Sequence, residues 1–296
     1  MIYNNILQSI GNTPLIEINK LNPNKNVRIL AKLEGYNPGG SIKDRIALKM
    51  IEAAEKTDEL KPGKTIIEAT SGNTGIALAL IGSIKGYAVE IVMSEAVSIE
   101  RRKMISAFGA KTILTDPNKG TDGAIIKARE LVEQFPDKYY HTDQFSNEHN
   151  KLAHYGTTAL EILSQTRGDI QYFVSGIGTS GTLMGVSLFL KKVDPSIKIV
   201  SAEPTKGHYI QGLKNLEEAI IPSIYNRDQL DEIIMVDTDD AFEMSRMIAK
   251  KEGIFVGMSS GAAMAATIQL SKKISSGTIV TIFPDRGEKY LSTNLF

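Results

Sequence analysis

The sequence predicts an α/β protein made of two doubly wound α/β domains with a ligand cleft between them. Two observations carry this prediction. From residue 65 onward, short apolar segments of strand type alternate with helical segments, which is typical of parallel sheets. The order strand, Gly/Ser/Thr-rich loop, helix also occurs twice, at 65–85 and at 172–192. Ligands of such folds bind at the carboxyl ends of the strands, so these loops are the candidate site.

Composition limits the classes of function. The 296 residues are 42% hydrophobic and 23% charged, which is ordinary for a globular protein with a full core. Lys and Arg together number 34, as do Asp and Glu, so no basic excess indicates nucleic-acid binding. The absence of cysteine excludes disulfides and thiolate metal sites. No signal-peptide pattern or membrane-length apolar run is present, which predicts a cytoplasmic protein that does not bind membranes.

The first notable segment follows a strand at 28–34 and spans 37–45, with the sequence Asn-Pro-Gly-Gly-Ser-Ile-Lys-Asp-Arg. Asn-Pro and Gly-Gly indicate a loop, and Ser41 with Asp44 fits a capping box that starts a helix. Lys43 then lies in the first helical turn, where the helix dipole and any burial lower a lysine pKa and favour a nucleophilic amine. The alternative is an ordinary solvated lysine.

The second segment is the strand 65–69 followed by Thr70-Ser71-Gly72-Asn73-Thr74-Gly75 and a small-residue helix at 76–85. Its hydroxyl and amide groups, placed before a helix, suit an anion such as a carboxylate. A simple N-capped turn is the alternative.

The third segment is the strand 172–175 followed by Gly176-Ile177-Gly178-Thr179-Ser180-Gly181-Thr182 and a helix to Val193. A glycine-rich loop that opens a helix binds phosphate, and the hydroxyls favour a phosphate monoester. The spacing is also G-x-G-x-x-G, with Glu203 about twenty residues on, as in NAD-dependent dehydrogenases. A tight turn without a ligand is the remaining alternative.

The remaining elements are less distinctive. Ser259, in Met258-Ser259-Ser260-Gly261, starts a helix and is either a plain N-cap or a ligand group. The four histidines lack metal-ligand spacing, so no metal site is predicted. The other predicted elements are an alternating apolar segment at 15–18, strands at 87–93, 111–114, 198–202 and 278–283, helices at 98–109, 123–134, 152–164, 240–252 and 260–273, and a long loop region at 204–232.

Taken together, Asn37 to Arg45, Thr70 to Gly75, Gly178 to Thr182 and Ser259-Ser260-Gly261 resemble the signature of fold-type II pyridoxal-phosphate enzymes, the tryptophan synthase β-like fold. Within these, the chain is most similar to the cysteine synthase (O-acetylserine sulfhydrylase) family of B type. Further matching stretches are Lys32 to Gly35, Ile67 to Thr70, Glu100-Arg101-Arg102, Asp143-Gln144-Phe145, Ala153-His154-Tyr155, Glu252 to Phe255 and the tail from Asp285.

The resemblance implies a role for each loop. Lys43 would bind the aldehyde of pyridoxal 5′-phosphate and act as the base. Asn73 would contact the ring, Gly178, Thr179, Ser180, Gly181 and Thr182 the phosphate, and Ser259 the ring nitrogen. The substrate-binding residues would be Thr70, Ser71, Gly72, Asn73, Thr74 and Gln144.

The implied reaction is β-replacement through an α-aminoacrylate, in which O-acetylserine or a similar amino acid reacts with sulfide to give L-cysteine and acetate. A cysteine-consuming relative that releases hydrogen sulfide is the alternative. The resemblance also implies a homodimer, a larger cofactor-binding domain (1–35 and 147–296) and a smaller mobile domain (36–146). One departure is notable: Lys214 and Asn215 stand where thiosulfate-using relatives carry two adjacent arginines.

Overall fold

A computed structural model describes residues 2–70 and 72–296 of the chain. The chain divides into two compact units, one of Met1–Ile10 and Asn37–Asn150, the other of Gly11–Tyr36 and Lys151–Phe296. Within the described residues, no helix is long and apolar enough to cross a membrane.

The strands are β1 (Leu15–Glu17), β2 (Val27–Leu33), β3 (Thr65–Ala69), β4 (Ala88–Ser94), β5 (Lys111–Thr115), β6 (Tyr139–His141), β7 (Tyr172–Gly176), β8 (Lys198–Pro204), β9 (Glu232–Val236) and β10 (Gly277–Phe283). The helices are α1 (Lys43–Lys56), α2 (Asn73–Lys85), α3 (Ile99–Ala107), α4 (Gly120–Gln134), α5 (Glu148–Gly156), α6 (Thr158–Thr166), α7 (Gly181–Val193), α8 (Thr238–Met247) and α9 (Met258–Lys273).

The first unit is built on a four-stranded sheet in the order β5-β4-β3-β6, in which every pairing is parallel. Every residue of β3 is buried. Because side chains alternate along a strand, Ile66 packs into a cluster with residues of α1 and α2, whereas Ile67 packs into a cluster with residues of α4. Helices therefore cover both faces of β3, and its carboxyl end leads directly into the loop before α2.

The second unit is built on a six-stranded sheet in the order β1-β2-β10-β7-β8-β9. Only β1, at one edge, pairs antiparallel; the other four pairings are parallel. Val174 on β7, Ala202 on β8 and Met264 on α9 belong to one buried apolar cluster. The predicted α/β fold with parallel sheets is confirmed.

Two strands lie where the sequence predicts none. β9 begins at the last residue of the predicted loop region 204–232 and continues beyond it, and β6 follows the helix that ends at Gln134. Both are short edge strands whose extended state depends on pairing, β9 with β8 and β6 with β3. Local sequence patterns carry little information about such strands, because the partner supplies the hydrogen bonds.

The predicted helix at 152–164 is two helices. α5 ends at Gly156 and α6 starts at Thr158, because the intervening Thr157 has φ −131° and ψ −73°, outside the helical region. The Thr157 hydroxyl donates to the carbonyl oxygen of Ala153 at 2.7 Å. Such a local side-chain bond competes with helical geometry.

Candidate active site

Lys43 is the first residue of α1 and follows a tight turn. The N–H of Gly40 donates to the carbonyl oxygen of Asn37 at 2.8 Å, and Gly40 has φ +76°. The predicted capping box takes another form. The Ser41 hydroxyl accepts the N–H of Lys43 at 3.3 Å, and the buried Asp44 carboxylate accepts the N–H of Gly39 at 2.5 Å. These bonds connect the turn to the helix. They therefore determine where α1 begins and where Lys43 lies.

The side chain of Lys43 is half-buried. Desolvation by the surrounding protein lowers the pKa of its amine to about 8. A charged ammonium loses favourable hydration when water is excluded, so the population of the neutral amine increases. Near neutral pH a much larger fraction of Lys43 is therefore a nucleophilic amine than of an exposed lysine.

The loop after β3 runs from Thr70 to the start of α2 at Asn73. The Thr70 hydroxyl accepts the N–H of Gly72 at 3.2 Å, which closes a short turn before the helix. Predicted site residue Ser71 lies outside the described residues. The N–H groups at the start of α2 are donors that suit an anion, and the substrate-binding role of this loop stays a prediction.

Gln144 lies beside this loop in the folded unit, although it is 70 residues from Thr74 along the chain. The Thr74 hydroxyl donates to Oε1 of Gln144 at 2.7 Å, and both residues are buried. The side chain of Asn150 donates to the Gln144 carbonyl oxygen at 2.7 Å. The structure therefore brings together two residues that sequence analysis assigned to one substrate from separate motifs.

Glu68 and Asn150 also support this site, although neither is predicted to do so from the sequence. Both are buried, and both bond to the backbone of Gln144. Desolvation raises the pKa of Glu68 to about 7. An ionisable residue within the apolar segment Thr-Ile-Ile-Glu-Ala was a signal for Glu68, because buried carboxyls need specific partners. Asn150 carries no comparable signal.

In the second unit, the loop 176–182 joins β7 to the N-terminus of α7. A methyl group at Gly178 would lie 2.5 Å from the carbonyl oxygen of Gly212, so only glycine fits there. The Thr182 hydroxyl lies 3.2 Å from Nε2 of the buried His154, whose Nδ1 lies 2.9 Å from the Thr158 hydroxyl.

Ser180 is the unusual residue of this loop. It precedes α7 with φ +67°, a conformation that non-glycine residues rarely adopt. Its hydroxyl oxygen is buried and has no hydrogen-bond partner within the part of the chain that the structure describes. A strained backbone and an unsatisfied buried hydroxyl at a helix N-terminus fit a bound anion that supplies the missing partner.

Ser259 is the second residue of α9 and is buried. A methyl group at Gly212 would lie 3.9 Å from its hydroxyl oxygen, so Gly212 lies between Ser259 and the loop at Gly178. The N–H of Lys214 donates to the carbonyl oxygen of Ile177 at 2.8 Å. The side chain of Asn215 is buried and donates to the Pro204 carbonyl oxygen at 3.0 Å, which is a structural contact.

Among the residues that the structure describes, no group of three or more His, Asp or Glu side chains could hold a metal ion.

The chain matches the protein family described as pyridoxal-phosphate dependent enzymes over residues 6–285. It belongs to that family. The cofactor is therefore pyridoxal phosphate, and the family membership favours this interpretation of the glycine-rich loop over the NAD-dependent dehydrogenase alternative.

Similar proteins agree with the family. The chain is 51% identical to a cysteine synthase of Aquifex aeolicus (strain VF5), over 98% of this chain and 91% of that protein. It is 44% identical to cysteine synthase B of Salmonella typhimurium, over 99% and 96% of the two chains. The crystal structure of a cysteine synthase from Entamoeba histolytica superposes with a TM-score of 0.95 at 43% identity, covering 100% of this chain and 91% of that one.

The residues present fit the cofactor. Its phosphate needs several donors at a helix N-terminus, and the loop at Ser180 offers a buried hydroxyl that lacks a partner among the described residues. Its aldehyde needs an amine whose neutral form is populated near physiological pH, and the lowering of the Lys43 pKa to about 8 increases that population.

Proposed function

We propose that this enzyme catalyses β-replacement, making L-cysteine and acetate from O-acetylserine and sulfide. The chain's similarity to proteins named cysteine synthase, over 98% or more of its length, supports the choice of reaction. The observation that carries the proposal is the half-buried amine of Lys43, whose pKa is lowered to about 8 at the first residue of α1.

We assign the cofactor ligands as the family resemblance implies. Lys43 binds the aldehyde, Asn73 contacts the ring, and Ser259 faces the ring nitrogen. Gly178, Thr179, Ser180, Gly181 and Thr182 bind the phosphate. The helix start at Gly181 and the buried hydroxyl of Ser180 support the phosphate assignment, because both offer donors to an anion.

The bound cofactor supplies an electron sink for charge that develops at the substrate's α-carbon. The Nζ of Lys43 takes the α-proton, a role that a lowered lysine pKa favours. Thr70, Ser71, Gly72, Asn73, Thr74 and Gln144 bind the substrate carboxylate. The short bond between Thr74 and Gln144 supports this grouping, since it places a hydroxyl and an amide in one small region.

The test is cysteine formation by the purified protein supplied with pyridoxal phosphate, O-acetylserine and sulfide. Lys43→Ala is expected to lower the rate at least a thousandfold and to abolish the visible absorbance of the cofactor bound through the lysine. Lys49→Ala is the matched control, because Lys49 lies on the same helix and is exposed. Cysteine formation by Lys43→Ala at the wild-type rate would refute the proposal.

The same preparation decides the direction of the chemistry. Cysteine replaces O-acetylserine in a parallel assay of sulfide release. Faster sulfide release from cysteine than cysteine formation from O-acetylserine would favour the cysteine-consuming alternative.

We further propose, from the family resemblance, that the enzyme is a cytoplasmic homodimer, and light scattering of the purified protein checks the oligomeric state.

A further inference from the structure

Glu68 is a buried carboxyl near the end of β3, with 1% of its surface exposed. Its Oε1 accepts the N–H of Ala69 at 3.0 Å. Its Oε2 accepts the N–H of Gln144 at 3.1 Å and the hydroxyl of Thr142 at 2.5 Å. One carboxyl group therefore joins the end of β3 to both ends of the segment 142–144.

The segment between those two bonds has an unfavourable backbone conformation. Asp143 has φ +42°, which costs a non-glycine residue about 1 kcal/mol or more. Such a conformation persists only where neighbouring contacts stabilise it. Glu68 provides two of these contacts, and side-chain bonds from Asn147 to the Thr142 carbonyl (2.9 Å) and from Asn150 to the Gln144 carbonyl (2.7 Å) add to them.

The conformation of this segment determines what Gln144 presents to a ligand. Oε1 of its amide accepts the Thr74 hydroxyl, so the amide nitrogen, which can only donate, is the group that meets an anion. If the backbone of residues 142–144 relaxed, the Gln144 side chain would leave Thr74, and the donor would no longer be directed by that bond.

We propose that Glu68 is a positioning residue for the substrate carboxylate: its ionised side chain keeps residues 142–144 in the conformation that presents the Gln144 amide to the amino acid. The inference rests on the proposed function, because it takes Gln144 as a ligand of the substrate carboxylate.

The positioning of residues 142–144 depends on the ionisation of the Glu68 carboxyl. The N–H groups of Ala69 and Gln144 can only donate, so they stabilise the carboxylate more than the protonated acid. Desolvation nevertheless raises the pKa of Glu68 to about 7. The affinity for an amino acid should therefore fall as the pH drops through about 7.

The same loop and β6 carry other titratable groups. The negative charge of Asp143 contributes to the raised pKa of Glu68. Burial raises the pKa of Tyr140 to about 12 and lowers that of His141 below its usual range. Both shifts move the titration of these two residues further from pH 7.

The other elements that pack against β3 add few charges. Glu90 on β4 pairs with Lys138 at 3.2 Å. The positive charge of Arg129 on α4 contributes to the lowered pKa of His141. The only titratable residue of α2, Lys85, lies at its far end and pairs with Glu55 at 2.7 Å.

The test measures binding of L-alanine, an amino acid without a leaving group, to the cofactor-loaded enzyme by isothermal titration calorimetry at pH 6, 7 and 8. For Glu68→Gln we expect about a tenfold weaker alanine affinity at pH 8 and a smaller loss of affinity between pH 8 and 6 than in the wild type, with unchanged cofactor absorbance. The wild type should lose affinity more steeply over that range, because Glu68 is protonated in addition to the amine of alanine. Glu90→Gln is the matched control on the neighbouring strand and should keep the wild-type profile.

Thr142→Val tests the same contact from the opposite side and replaces Glu68→Gln if thermal melting shows that the latter does not fold. It should also weaken alanine binding, whereas Thr65→Val, at the other end of β3, should not. Wild-type affinity in the Glu68 and Thr142 variants, or a wild-type profile that is flat from pH 6 to 8, overturns the inference.

The two proposals fail separately. If the enzyme makes no cysteine but alanine binding still depends on Glu68, the reaction is wrong and the positioning role stands. If the enzyme makes cysteine and Glu68→Gln binds alanine as the wild type does, only the positioning role is wrong. No alanine binding by the wild type would also overturn the positioning role.

Discussion

The hydroxyl of Thr74 donates a 2.7 Å hydrogen bond to Oε1 of Gln144, across 70 residues of sequence. This bond joins the start of α2 to the loop that follows β6. It also orients the Gln144 amide, because the oxygen accepts from Thr74 and the nitrogen is the half that can donate to another group. The proposed carboxylate site depends on it, because an anion needs donors and an amide offers one only in the correct orientation.

Thr74→Val removes the donor while nearly preserving the shape of the side chain. We expect L-alanine to bind about five- to tenfold more weakly, because a buried hydrogen bond contributes about 1 kcal/mol and the amide orientation is lost with it. Calorimetry on the cofactor-loaded enzyme measures the change. Thr65→Val, on the preceding strand, should have no effect, and equal affinities in the two variants would contradict the role of Thr74.

Two variants of Ser180 test backbone strain and ligand binding separately. Ser180→Gly relieves the positive φ of +67°, whereas Ser180→Ala keeps it, and both remove the hydroxyl. In the cofactor-free protein, we expect the glycine variant to unfold with a free energy about 1 kcal/mol higher than the alanine variant. Urea denaturation measures that difference.

The same two variants test the phosphate assignment. Both should bind pyridoxal phosphate about tenfold more weakly than the wild type, because a bond to a charged phosphate is lost. An alanine variant that binds the cofactor as tightly as the wild type would show that the Ser180 hydroxyl does not contact the phosphate.

Glu68 also makes stability depend on pH. Its pKa is about 7 in the folded protein against 4.5 in the unfolded chain, so between these values the folded state binds more protons. Stability from this group is therefore lost as the pH rises from 4.5 to 7. The free energy of unfolding of Glu68→Gln should rise relative to the wild type by about 1.4 kcal/mol per pH unit over this range.

Urea denaturation at pH 5, 6 and 7 measures that slope. Glu90→Gln provides the reference, because its carboxylate lies on the adjacent strand in an ion pair with Lys138. A constant difference between Glu68→Gln and the wild type across the three pH values would show that Glu68 titrates at its ordinary pKa.

Much of the fold was predictable because its information is local. The apolar segments of β3, β7 and β10 are bounded by Gly, Ser and Thr, and the alternation with helices specifies parallel pairing. The edge strands β6 and β9 and the break at Thr157 were missed. Their conformations depend on a partner strand or a single side-chain hydrogen bond. The local periodicity of apolar residues does not encode either of these.

Some features of the candidate site were also predictable from the local sequence, and others were not. The loop glycines, the hydroxyls and a lysine at a helix start are local features, so the sequence alone identified the loops at 37–45, 70–75 and 176–182 as candidates. The roles of their residues stay predictions. Nothing in the local pattern predicted that Glu68 bonds to Gln144, because those residues are 76 positions apart.

The sequence by itself determined the fold class, the family and the position of Lys43 at the start of α1, because each follows from local patterns or short motifs. Only the tertiary structure decided the pKa values of the Lys43 amine and the Glu68 carboxyl. Burial lowers the pKa of Lys43 to about 8 and raises that of Glu68 to about 7. Both shifts arise from loss of water around a charge, and water is excluded only when distant segments pack together.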